Sequence, residues 1–127
     1  MKLELIIKND DGITTYKDIY YKEKGNKLLF ETEDDNYEFV IDNTVKMIKD
    51  NKDSKIEILF DNNKKTSGLY TIKDIDTTFN LNIIANTLEI NEKSVIMEYE
   101  LYIEDEKTGN FRIEIHKGGT KWKIINY

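Results

Sequence analysis

The longest regular pattern in the chain runs from Thr77 to Ile115. Phe79, Leu81 and Ile83 alternate with Thr78, Asn80 and Asn82, the period-two signature of a strand with one buried face. At Ile83 and Ile84 two apolar residues are adjacent, and Ile84, Leu88 and Ile90 then share a parity. A one-residue switch inside a continuing strand predicts a β-bulge there. After a turn at Asn91–Lys93, Val95, Met97, Tyr99, Leu101 and Ile103 alternate with Ile96, Glu98, Glu100, Tyr102 and Glu104. A second turn is expected over Glu106–Asn110, with Gly109 late in it, before Phe111, Ile113 and Ile115 open a third run. Three long antiparallel strands joined by short turns form a meander. Their length and the bulge suit a sheet that coils and closes.

Upstream the same period recurs in shorter pieces. Leu3, Leu5 and Ile7 mark a first strand, Asn9–Gly12 a turn, and Thr14–Lys24 a strand rich in Tyr and Ile that ends at Gly25-Asn26. Strands follow over Lys27–Glu33, Tyr37–Asp42, Thr44–Lys49 and Lys55–Phe60, with a turn at Asp34–Asn36. Asp61–Ser67 reads as a polar loop before Gly68 and the strand Leu69–Ile72. Short strands at this spacing predict a sandwich or barrel. Val40–Lys49 has some helical character, but Thr44, Val45 and Ile48 are β-branched and favour strand. Lys121–Tyr127, after Gly118-Gly119, reads as a last strand or a docked tail, with Trp122 in tail packing.

Composition narrows the class. At 127 residues the chain is long enough for one independent core and is read as one domain, 1–127. A hydrophobic fraction of 39% beside 35% charged residues fits a folded rather than a disordered chain. No apolar run reaches the roughly 20 residues of a membrane helix, so no membrane partner is expected. The start, Met1 to Leu5, alternates and lacks the apolar core of a signal peptide, which makes the cytoplasm the expected compartment. With no cysteine there is no disulfide framework and no thiolate chemistry. The net charge of −6 argues against general nucleic-acid binding. Proline is absent, so strand edges must be protected by Lys and Asp or by barrel closure.

A family resemblance rests on one succession of residues. It consists of the Phe60 strand, a polar loop with Ser67-Gly68, Tyr70, the Phe79-Leu81-Ile83 strand with Thr87-Leu88, the Tyr99 strand, and Asn110-Phe111-Arg112-Ile113-Glu114-Ile115. This resembles the second half of the YwiB-like family, small bacterial proteins of unknown function described as calycin-like β-barrels. The likeness covers about residues 44 to 117; before that it rests on strand order and the Tyr20-Tyr21 pair. The chain departs from the family at Asn51–Lys55, where members carry Arg and Gly, and at Lys73–Asp76, where a Gly follows the counterpart of Tyr70. The resemblance implies a closed barrel of about eight to ten strands. It brings no activity, substrate or catalytic residue.

Candidate chemistry is sparse. His116 is the one histidine, on the parity opposite Ile113 and Ile115, and without a second histidine or any cysteine it has no metal partners. It is read as a surface residue. Glu98, Glu100 and Glu104 share a strand face and are read as a solvated outer surface rather than an acid/base pair or cation site. Ser54, Ser67 and Ser94 lack a nucleophile elbow. Gly118-Gly119-Thr120-Lys121 lacks the first glycine of a phosphate loop. No catalytic residue, metal or cofactor is therefore expected. Arg112, the one arginine, is a candidate clamp for a ligand carboxylate or phosphate if it points inward. Tyr70 and Tyr99 are candidate ligand contacts, since a tyrosine shows a cavity both ring and hydroxyl.

The pattern thus predicts an all-β protein, a single antiparallel, mostly up-and-down calycin- or lipocalin-like barrel of about eight to ten strands. The leading functional expectation is a non-catalytic protein that binds a small apolar or amphipathic ligand in the lumen, near Phe39, Tyr99 and Leu101. A second is an interaction or scaffolding module with a filled barrel, including a homodimer, using Ile96 and Tyr102 on the outer face. A third is an enzyme with a carboxylate pair.

Overall fold

The computed structural model describes residues 1–118. Ten strands follow one another: β1 (Lys2–Asn9), β2 (Gly12–Lys24), β3 (Lys27–Glu31), β4 (Asn36–Ile41), β5 (Val45–Asp50), β6 (Ser54–Phe60), β7 (Lys65–Ile72), β8 (Thr77–Ile90), β9 (Ser94–Ile103) and β10 (Glu106–Lys117). Each pairs antiparallel with its sequence neighbour, and β10 closes the ring on β1. Among the described residues there is no helix. The reading of Val40–Lys49 as strand holds. The expected terminal strand or tail, Lys121–Tyr127, and the packing of Trp122 lie outside the described residues.

On eight strands the apolar parity faces inward and is buried; β2 and β7 carry no fully buried residue and turn Tyr16, Ile19, Tyr21 and Tyr70 partly toward the core. Register sets Leu5 beside Ile115, Ile115 beside Val95, and Ile113 beside Met97. On the opposite wall Leu28 stands beside Phe39, Phe39 beside Met47, and Met47 beside Ile58. These side chains belong to one buried cluster inside the barrel. Aromatic rings tie its layers together. Phe30 stacks on Tyr37 at 5.0 Å between ring centres, and Tyr99 lies edge-on to Phe60 at 4.8 Å and stacks on Phe111 at 5.4 Å.

Polar turns close the hairpins. Asn9 Oδ1 accepts the backbone N–H groups of Asp11 and Gly12, and Asn51 Oδ1 accepts those of Asp53 and Ser54. Such local bonds are the reason Asn favours turns. Gly68 serves a different need. It faces inward opposite Ile58 and Leu81, and lacking a side chain it lets the Glu57 carbonyl of β6 press directly against it.

Three local expectations change. The bulge in β8 lies between Ala85 and Thr87, not at Ile83-Ile84. Ala85 is buried and continues the inward parity of Leu81 and Ile83; Asn86 is the extra residue. Ile84 therefore pairs outward with Glu100, whereas Leu88 faces in beside Met97. The last hairpin turns at Glu104-Asp105, both in the left-handed region (φ 49° and 71°), and Glu106–Asn110 belongs to β10. Two consecutive positive φ angles match the twist of the flanking strands. Gly109 sits in the bulge next to that turn. Finally, Lys65–Ser67 is strand rather than loop, with Thr66 opposite Ile83.

Candidate functional site

The sequence candidates are spread over both faces of the sheet. Tyr70, half-buried, lies inside the barrel with its ring 6.2 Å from that of Phe79. Tyr99 is buried between Phe60 and Phe111, and burial pushes its hydroxyl well above the ordinary tyrosine range. Phe39 is fully buried and Leu101 packs against the same cluster. Arg112 points to the opposite, outer face. Its Nη1 lies 2.8 Å from Glu98 Oε1, and its Nε donates to Glu114 Oε2 at 2.8 Å. The other oxygen of Glu114 meets His116 Nε2 at 2.8 Å. The structure does not bring Arg112 together with the two tyrosines.

Electrostatics on this outer face are those of satisfied ion pairs. Partial burial pushes the Glu114 carboxyl up, but hydrogen bonds from Arg112 and His116 outweigh it and hold the group below the usual carboxylate range. Glu100 is also lowered, first by the Tyr102 hydroxyl and then by Lys107. A general acid needs the reverse shift. Among the described residues no group of three His, Cys, Asp or Glu is arranged to hold a metal.

A different site emerges from a mismatch of strand lengths. β2 has 13 residues and β3 has 5. They pair over Tyr21–Lys24 and Lys27–Phe30, after which β3 ends at Glu31 while β2 has its remaining length bound to β1. The barrel wall therefore parts between β2 and the β3–β4 hairpin. A bulge helps: between Leu3 and Leu5 the register slips, and Asp18 adopts φ 56°, which bends β2.

The parting is an open groove of about 600 Å³. Tyr21, Phe30 and Tyr37 form its floor, continuous with the core; Tyr20, Leu29 and Glu31 stand on the rim with Met1, Lys22 and Asn36. Tyr20 is 71% exposed, with the Lys2 ammonium 5.1 Å from its ring centre. Burial, and then the nearby Asp35, push the Tyr37 hydroxyl well above its ordinary range, so it stays a neutral donor. Asn36 also borders a second, polar groove of about 640 Å³ lined by Glu33, Asp34, Asp50, Asp53, Lys52 and Lys73. Sequence reasoning did not single out the aromatic groove. Its one signal was the length of the Tyr- and Ile-rich second strand against the short third.

Neither a family model nor a curated protein sequence matches this chain. Among solved structures, the crystal structure of the YwiB protein from Bacillus subtilis superposes with a TM-score of 0.55 at 15% identity. The match spans 91% of this chain and 88% of that one. The chain has the YwiB fold. The likeness of fold covers the first half of the chain as well as the second. The YwiB fold carries the barrel; it does not by itself carry an activity.

Proposed function

We propose that this protein is a non-catalytic binding module that takes one partly apolar ligand in the lateral groove between β2 and the β3–β4 hairpin. The observation that carries the reading is the groove itself. Its volume lies within the roughly 300–1,000 Å³ of small-ligand sites, and an apolar, aromatic floor with a few polar groups on the rim is their usual character. Calycin-like barrels would place a ligand in the lumen; here the lumen expectation moves to the wall. Phe39, Tyr99 and Leu101 are part of the packed cluster, whereas Tyr20, Tyr21 and Leu29 line open space.

The outer-face alternative has less support. In register, Ile96 stands between Glu89 and Glu114, and Tyr102 between Asn82 and Lys107. Tyr102 has one apolar neighbour, Ile84, in a small outer pocket with Lys65, Asn82 and Asp105; small groupings of this kind are ordinary surface. The enzyme alternative gains no support from Glu100 and Glu114, whose carboxyls are held below the usual carboxylate range by their hydrogen-bond partners.

Native mass spectrometry of the purified protein tests the reading. The wild type is expected to carry extra mass that leaves on denaturation, and Leu29→Glu, which sets a charge on the groove rim, is expected to lose it. Extra mass retained by Leu29→Glu at wild-type occupancy would place the ligand elsewhere. A bare homodimer would shift the binding role to a contact between copies.

A further inference from the structure

The groove opens onto a second unused feature, the edge of β2. From Gly12 to Ile19 this strand pairs with β1 on one side, and its β3-facing side has no strand partner among the described residues. The line of β3, continued beyond Glu31, would run along this edge. Backbone N–H and C=O groups on such an edge are a template for another strand. A chain laid there would reach the aromatic groove at the Tyr20 end of the edge.

The adjoining polar groove indicates the charge of such a chain. Glu33, Asp34, Asp50 and Asp53 outnumber Lys52 and Lys73 around it. The protein's own ammonium groups already occupy these surroundings. Lys73 Nζ donates to Asp50 Oδ1 at 2.6 Å and to the Asn51 carbonyl at 2.5 Å. Lys49 Nζ lies 5.9 Å from the centre of the Tyr37 ring and 3.8 Å from Asp35 Oδ2. A lysine of an incoming strand would meet the same carboxylates and ring faces. The net charge of −6 steers a basic partner toward the protein. Lys17 and the kink at Asp18 interrupt the edge, a device that discourages long self-pairing.

We propose that the edge of β2 left unpaired among the described residues receives an extended basic segment of another polypeptide as an added strand, with an apolar side chain of that segment in the aromatic groove. This rests on the groove being a binding site and names its ligand class. The test is amide hydrogen exchange by NMR on the full chain. The probe is a heptapeptide alternating lysine and valine; a glutamate–valine peptide of equal length is the control. The lysine peptide is expected to slow exchange of edge amides within Ile13–Tyr16 by about tenfold or more at saturation and to shift the signals of Tyr20, Leu29 and Glu31. The glutamate peptide should do neither. Reversing charge with Glu33→Lys and Asp34→Lys together should weaken the lysine peptide by about tenfold.

Peptide binding without slowed β2 exchange, or equal binding of both peptides, overturns the proposal. So does slowed exchange that appears on concentrating the protein alone, which assigns the edge to a second copy. If the lysine peptide fails while small apolar fragments still shift the groove signals, strand addition is wrong and the groove reading stands. If the fragments fail as well, both fall.

Discussion

Gly68→Ala is expected to lower the melting temperature by about 10 °C or more. The added β-carbon would fall inside the van der Waals contact of the Glu57 carbonyl oxygen and lie 3.3 Å from Ile83 Cδ1. Ile83 has some freedom to move. The Glu57 carbonyl is backbone, held in a strand that pairs with β5 as well as β7. Relief requires β6 and β7 to separate, which costs ladder hydrogen bonds on both sides. Overpacking of this kind costs about 3 kcal/mol, a large share of the roughly 5–15 kcal/mol by which a domain is stable. Thermal unfolding followed by far-ultraviolet circular dichroism measures it. A change within about 2 °C would mean that β6 and β7 do not approach as closely as Gly68 allows.

Phe39→Ala should destabilise the protein by about 4 kcal/mol in urea unfolding. Phe39 is fully buried, with its ring 5.8 Å from Phe30 and 6.1 Å from Tyr37. Truncation removes its share of the aromatic stack and leaves a hole in the barrel centre, so transfer and cavity costs add. Phe39→Leu should cost roughly half as much, because it refills much of the space. The pair of variants discriminates between a packed interior and a ligand lumen. Were Phe39 the wall of an existing cavity, alanine would merely enlarge that space, and the two variants would differ little.

The fold was legible because both faces of nearly every strand follow period two. Val95, Met97 and Tyr99, or Ile113 and Ile115, announce an inner face by alternation alone, and all five are buried. Errors arose where a small or polar residue occupies an inward position. Ala85 is too small to register as an interior residue, so the adjacent Ile83-Ile84 pair drew the bulge two positions too early. Thr66 pairs with Ile83 from a polar stretch whose composition predicts a loop. Gly109 attracted the turn that Glu104-Asp105 makes. The left-handed region is costly for glutamate, and nothing in the local sequence announces it.

The groove was illegible for a different reason. Tyr20, Tyr21, Leu29 and Glu31 have ordinary strand patterns, and their positions relative to one another depend on where the β2–β3 ladder stops. The ladder stops at the Tyr21–Phe30 pair because β3 ends at Glu31 while β2 reaches back to Gly12, and no single segment carries that comparison. Arg112 shows the converse. Its parity opposite Phe111 and Ile113 already pointed outward, and Glu98 and Glu114, on the facing strand and on its own, now account for its charge.

The most direct measurement of the central claim is protein-observed NMR with a library of small, partly apolar fragments. Fragment binding at the lateral groove predicts shifts that cluster on Tyr20, Tyr21, Lys22, Leu29, Glu31 and Asn36, with the amides of Met47, Met97 and Ile115 unmoved. Shifts centred instead on Phe39, Tyr99 and Leu101 would restore the lumen as the binding site and contradict the account.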